Sequence, residues 1–167
     1  MKVLLIGSGG REHALADKIS ESPSLSKLYI LPGNPGTCEL GKNISFPFSN
    51  HDKVVKFCKE KEIDLIIIGP EQPLVDGLSD SLRINGFNVF GPGMNAAQIE
   101  GDKVFAKNLM KKHSIPTAGY KIFEHKQFSE AIDHLKNSAY PLVIKASGLA
   151  AGKGVVIADN FEEAQSA

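Results

Sequence analysis

Four short, mostly apolar runs within the first 93 residues end directly in clusters of Gly and Pro: Gly7-Ser8-Gly9-Gly10, Pro32-Gly33-Asn34-Pro35-Gly36, Gly69-Pro70-Glu71-Gln72-Pro73 and Gly91-Pro92-Gly93. Continuous apolar runs alternating with helical patterns are how a parallel sheet covered on both faces by helices reads, because its strands are buried on both sides. The spacing predicts strands over Lys2–Gly7, Lys27–Leu31, Ile63–Gly69 and Phe87–Gly91, with a weaker apolar run over Ile44–Phe48. Between them a helix is expected over Arg11–Ser20. A second, capped by Asn50, turns Val54, Val55 and Cys58 inward, and a third carries Leu74, Val75, Leu78 and Leu82 on one face. Residues 1–101 therefore read as a doubly wound α/β domain with a parallel sheet.

After Gly101 the pattern changes. A helix is expected over Asp102–His113, a strand over Thr117–Phe123 behind Pro116, and a helix through Phe128, Ala131, Ile132 and Leu135. The strands Leu142–Ser147 and Val155–Ala158 flank a second Gly-rich turn, and Asp159 or Asn160 caps a last short helix. Residues 102–167 thus read as the start of an α+β lobe that is expected to be incomplete.

Composition removes several classes of function. Nineteen Lys and Arg balance nineteen Asp and Glu, so no basic surplus points to nucleic acid or to an anionic membrane. The unbroken apolar runs, such as Leu65–Ile68 and the run after Lys2, are far shorter than a bilayer requires. The two cysteines, Cys38 and Cys58, have no CxxC spacing and no histidine at metal-ligand distance in sequence. A reducing cytoplasm, a small-molecule partner and no protein-held metal within this chain are the expectations.

In an open parallel sheet, ligands bind outside the carboxyl ends of the strands, where the strand-to-helix loops and helix N-termini converge. The Gly and Pro clusters all fall on that edge, while the opposite edge has ordinary turns such as Asn85-Gly86. Turn chemistry alone explains any single cluster; the concentration of four on one edge points to backbone approaching a ligand closely. Gly7–Gly10 follows a strand and opens a helix, so its amides and the helix dipole suit a phosphate ester, with Arg11 adjacent. A dinucleotide fits less well: Glu12 stands where the third Gly of the fingerprint belongs, and Leu31 and Pro32 end the second strand where a ribose-binding acid is needed. Glu71 is a candidate acceptor for hydroxyls or an amine.

The second Gly-rich turn, Gly148-Leu-Ala-Ala-Gly152-Lys153-Gly154, is not a Walker loop. Only three residues separate its first two glycines, and a strand rather than a helix follows. A Gly-rich turn between two strands is instead the arrangement that covers nucleotide phosphates in kinase-like lids. Lys145 lies on the strand leading into it, between apolar neighbours, where an anionic partner is expected.

The combination Ile6-Gly-Ser-Gly-Gly-Arg-Glu-His-Ala14, Pro32-Gly-Asn-Pro-Gly-Thr37, Gly69-Pro-Glu71 with Pro73-Leu-Val75, Ala97-Gln-Ile-Glu-Gly101 with Lys103, and Gly148–Val155 resembles the N-terminal part of the phosphoribosylamine-glycine ligase family, which is also called glycinamide ribonucleotide synthetase and belongs to the ATP-grasp superfamily. The resemblance runs over all 167 residues. It implies a Rossmann-like pre-ATP-grasp domain followed by part of an ATP-grasp domain. The reaction it implies is ligation of glycine to 5-phosphoribosylamine through a glycyl phosphate, giving glycinamide ribonucleotide, ADP and phosphate in purine biosynthesis. On matching positions it implies that Gly9, Gly10, Asn34, Gly36 and Glu71 receive the ribose phosphate, and that Lys103, Lys145, Gly148, Gly152, Lys153 and Gly154 contact ATP. None of these is a general base or nucleophile, which suits chemistry carried by positioning and charge neutralisation.

Magnesium is implied as well, with its carboxylate ligands and the glycine site expected beyond this chain, so the 167 residues alone are expected to be an inactive N-terminal fragment. The chain departs from the family pattern at two positions. The family usually carries Asp where this chain has Ser147, and Ser where it has Asp102. Two alternatives stay open at this point: another purine-pathway ATP-grasp enzyme, and a non-catalytic module that binds a nucleotide or sugar phosphate.

Overall fold

The first strand, β1 (Lys2–Gly7), is buried from Val3 to Gly7 and sits at the centre of a five-stranded sheet. A computed structural model describes residues 1–149 and 154–167. It divides the chain into two compact units, 1–98 and 99–167.

In the first unit β1 is followed by α1 (Gly10–Ser20), β2 (Lys27–Pro32), a short 3-10 turn, β3 (Lys42–Asn43), α2 (His51–Lys61), β4 (Leu65–Ile68), α3 (Glu71–Val75), α4 (Leu78–Ile84) and β5 (Val89–Phe90). The strand order is β3-β2-β1-β4-β5, parallel throughout. One face of the sheet buries Leu4, Ile6, Leu31 and Ile66 against Val54, Cys58, Leu78 and Leu82. The other buries Val3, Leu5, Leu28 and Ile30 against Ala16. Each large aliphatic chain buried this way contributes about 1.5–3 kcal/mol, so the doubly wound arrangement read from the sequence is held from both faces.

Differences from the sequence reading have local causes. The apolar run over Ile44–Phe48 is not a strand; β3 is two residues long, and Ile44, Phe46 and Phe48 pack as coil against the core. The single helix expected through Leu74–Leu82 is broken into α3 and α4 at Gly77, whose φ of 83° is left-handed. A helix missing from the sequence reading, α5 (Met94–Gly101), follows β5.

The second unit contains α6 (Lys103–Lys112), α7 (Phe128–Lys136), β6 (Leu142–Lys145), β7 (Val155–Ala158) and α8 (Phe161–Ser166). β6 and β7 pair antiparallel as a two-stranded sheet. Asp102 caps α6 through Val104 N and Phe105 N, and Asn160 caps α8. The strand expected over Thr117–Phe123 is not formed: the segment pairs with no strand among the described residues and is held to α6 by side chains, with Lys107 Nζ 2.6 Å from Thr117 Oγ1 and Tyr120 Oη on the Lys107 carbonyl at 3.1 Å. A strand without a partner leaves its backbone groups to water. Among the described residues of this unit the buried ones are Gly101, Ala106, Ala158 and Ala164. No helix among the described residues is long and apolar enough to cross a membrane.

Candidate functional site

The chain runs from β1 to β2 on one side and reaches β4 on the other, so the loops leaving β1 and β4 flank the point where the strand order reverses. That crevice is where an open α/β sheet receives its ligand. Three of the Gly and Pro loops are joined there. Gly33 N donates to the Gly7 carbonyl at 3.1 Å, and Asn34 Nδ2 donates to the Ser8 carbonyl at 3.0 Å. On the other side Arg11 donates through Nη1 to the Gly69 carbonyl and through Nη2 to Glu71 Oε1, the latter at 2.9 Å.

The centre of this arrangement is a residue the sequence reading treated only as a misplaced fingerprint position. Glu12 is 4% exposed, and its Oε2 accepts the Gly9 amide at 2.8 Å. Its Oε1 is buried with no hydrogen-bond partner among the described residues and lies 3.8 Å from Arg11 Nε. The carboxylate fills space that Gly7 and Gly69 leave open, since a Cβ on either would come within 2.4 Å or 2.2 Å of its atoms. Two of the edge glycines are thus explained by a protein side chain rather than by a ligand. The available signal was an acid three residues after the helix cap, the capping-box spacing with Gly in the cap position.

The five expected substrate residues occupy different roles around this centre. Gly9 caps α1 and its amide is engaged by Glu12. Gly10 opens α1, and a Cβ there would meet nothing within 4 Å. The first-turn amides of a helix point out of its N-terminus and attract anions. Asn34 bridges loops, its Nδ2 on Ser8 and its Oδ1 accepting Thr37 N at 3.1 Å. Gly36 is approached by the His13 ring, whose Cε1 would lie 2.2 Å from a Cβ. Glu71 opens α3 and is engaged by Arg11; its own backbone N–H first, and then the guanidinium, hold its carboxyl below the usual range. The loop Gly91–Gly93 is tied to α4 instead, with Ser79 Oγ on the Pro92 carbonyl at 2.5 Å and Asp80 Oδ2 on Met94 N at 2.6 Å.

In the second unit, Lys103 Nζ donates to the Gly148 carbonyl at 2.7 Å, and Ser147 Oγ donates to Asp102 Oδ1 at 3.0 Å. The first turn of α6 therefore meets the first residues of the Gly-rich turn. The Asp102 carboxyl lies below the usual range, held first by the Phe105 amide and then by the Ser147 hydroxyl. Ala146 N donates to the Gly154 carbonyl at 2.8 Å, closing the hairpin across the turn. Lys145 ends β6 opposite Val155 and is exposed. Apolar neighbours in sequence do not make β6 a buried strand: Leu142 and Ile144 are half-buried while Val143 and Lys145 face outward. A two-stranded sheet covers one face at most. Gly152 and Lys153 lie outside the described residues.

Among the described residues no group of three or more His, Cys, Asp or Glu converges to hold a metal ion. Cys38 and Cys58 are free; burial pushes the Cys58 thiol up to about 12.

Comparison with known proteins matches residues 1–100 to the phosphoribosylglycinamide synthetase N domain and residues 101–167 to its ATP-grasp (A) domain. Phosphoribosylamine-glycine ligases of Agrobacterium fabrum and Rhizobium meliloti are 52% and 50% identical over the whole chain, which spans 39% of their length. The crystal structure of the phosphoribosylamine-glycine ligase of Thermotoga maritima superimposes with a TM-score of 0.77 at 36% identity, covering 99% of this chain and 38% of that one. The biotin carboxylase domain of the Hydrogenobacter thermophilus 2-oxoglutarate carboxylase, solved with ADP and magnesium, shares the fold at 21% identity with a TM-score of 0.74, over 97% of this chain and 38% of that one.

Proposed function

The chain belongs to the phosphoribosylglycinamide synthetase family, and we propose that it supplies the ribose-phosphate site and part of the ATP site of a ligase that joins glycine to 5-phosphoribosylamine with consumption of ATP. The observation that carries this reading is the convergence of the loops leaving β1, β2 and β4 on one crevice, with the open first turn of α1 at Gly10 and the Arg11–Glu71 pair beside it. A phosphate monoester suits the first-turn amides and the helix dipole, at about 0.3–1 kcal/mol from the dipole alone. Asn34 shapes the crevice by joining two of its loops, while Gly9 caps α1 and Gly36 leaves room for the His13 ring. Glu71 is placed to accept from a ribose hydroxyl or an amine.

In the second unit Lys103 and Lys145 are the cations for the nucleotide phosphates, with the turn from Gly148 to Gly154, including Gly152 and Lys153, as the cover. The Lys103 ammonium already stands at that turn. Magnesium would neutralise charge on the phosphates when bound; no residue of this chain is assigned to it. Small-molecule substrates fit the zero net charge, and the free thiols fit a cytoplasmic location.

Crossed titrations test the reading. Ribose 5-phosphate and MgATP are titrated calorimetrically into the parent chain and into Gly10→Asp and Lys145→Met variants. An Asp at Gly10 has room and favours the helix N-terminus, so folding is kept, while its charge opposes the phosphate. Ribose 5-phosphate affinity is expected to fall about tenfold or more in Gly10→Asp only, a loss of about 1.4 kcal/mol. MgATP affinity is expected to fall by about 1.5–3 kcal/mol in Lys145→Met only. Equal ribose 5-phosphate affinity in the parent and Gly10→Asp would remove the phosphate from α1.

A further inference from the structure

A lysine side chain spreads over many rotamers, so holding its ammonium in one place costs conformational entropy. Lys103 nonetheless stands on the Gly148 carbonyl, 45 residues away in sequence, at 2.7 Å. A single bond from a flexible ammonium to a turn carbonyl orders neither group by itself. A second contact of the same sequence span lies one residue back on each side: Ser147 Oγ on Asp102 Oδ1 at 3.0 Å.

Asp102 is suited to be the fixed member. Its Oδ1 also accepts Val104 N at 2.8 Å and Phe105 N at 3.2 Å, so helix α6 itself sets the carboxylate's position. Three donors converging on one oxygen call for a charged acceptor. The depressed Asp102 carboxyl keeps that charge over the neutral range. The Ser147 hydroxyl therefore docks onto a site that exists without it, and the end of β6 is carried with it.

We infer that Asp102 and Ser147 are a positioning pair that fixes the start of the Gly148 turn on the first turn of α6, so that the Lys103 ammonium is held at the turn instead of ranging through solvent. Neither residue touches the nucleotide in this role. The consequence for ATP rests on the function proposed above; the anchoring of the turn does not.

The test is an exchange cycle on the full chain: S147A, S147D, D102S and the exchange D102S/S147D. Ser is a good helix cap, so D102S keeps α6 intact while removing the carboxylate. S147D alone sets two carboxylates against each other, and the exchange restores one hydroxyl with one carboxylate. The backbone order parameter of the Gly148 amide is measured without ligand by nitrogen-15 relaxation, beside the thermal midpoint, and MgATP affinity is measured by calorimetry. Gly148 is expected to be ordered in the parent, to fall below about 0.6 in S147A and S147D, and to recover in the exchange. MgATP affinity is expected to fall about tenfold in S147D and to return to within about twofold of the parent in the exchange, as for one charged hydrogen bond lost and regained. Unchanged Gly148 order in S147A and S147D, or an exchange variant that folds and stays disordered there, overturns the pair. A parent chain that binds no MgATP counts against the nucleotide site, and the relaxation cycle still decides the anchoring.

Discussion

Arg11 connects three carboxyl-edge features at once: its guanidinium reaches the Gly69 carbonyl and Glu71, and its Nε faces the buried Glu12. Glu71 is the titratable end of this chain of contacts. Its folded carboxyl is depressed, chiefly by its own backbone amide and secondly by Arg11. A carboxyl depressed on folding contributes stability above its unfolded value, near 4.5 for Glu, and that contribution is lost as pH falls through the lower folded value. Carboxyl carbon-13 NMR should therefore place the Glu71 midpoint below that of a free Glu. An Arg11→Met variant should raise the midpoint only part of the way, because the backbone donor remains. A Glu71 midpoint unmoved by Arg11→Met would mean that the ion pair at 2.9 Å contributes nothing in solution.

At the scale of elements, the helix broken at Gly77 shows what periodicity cannot detect. Leu74, Val75, Leu78 and Leu82 keep helical spacing across the break, yet the left-handed φ of 83° at Gly77 starts a new helix and lets Leu78 and Leu82 reach the core fully buried. Gly77→Ala is expected to destabilise the chain by about 1–2 kcal/mol, the cost of a left-handed non-Gly residue. Gly10→Ala, in an open first helical turn, is expected to be neutral or to stabilise by up to about 1 kcal/mol. Urea denaturation followed by circular dichroism checks both; equal midpoints for the two variants would show that the break at Gly77 is not enforced by its backbone.

For the whole molecule the contrast is between a first unit with a sheet covered on two faces and a second unit whose buried side chains, among the described residues, are alanines. Phe128 and Ile157 of the second unit are 68% and 67% exposed. Little apolar burial means a low free energy for local opening. Hydrogen exchange should accordingly be slowest over Leu65–Ile68 and fast over residues 117–123, which lack ladder bonds among the described residues. Comparable protection of the two segments would mean that the second unit is stabilised by contacts absent from the structure described.

Local chemistry in the sequence determined the elements that carry their own signals: Asn50 and Asn160 cap as their side chains predict, and the aliphatic runs of β1, β2 and β4 allow little but buried parallel strands. The Gly and Pro clusters likewise marked the carboxyl edge, because backbone that must turn or approach closely is written in those residue types. Tertiary structure alone decided which cluster glycines face a protein side chain, as Gly7 and Gly69 face Glu12, and which, like Gly10, remain open. It also decided that Asp102 meets Ser147 and that residues 117–123 form no strand. The physical reason is common to these cases: a cap or a periodic face is settled within a few residues, whereas a cavity filled by a distant side chain, or a strand that lacks its partner, depends on groups tens of residues away in sequence.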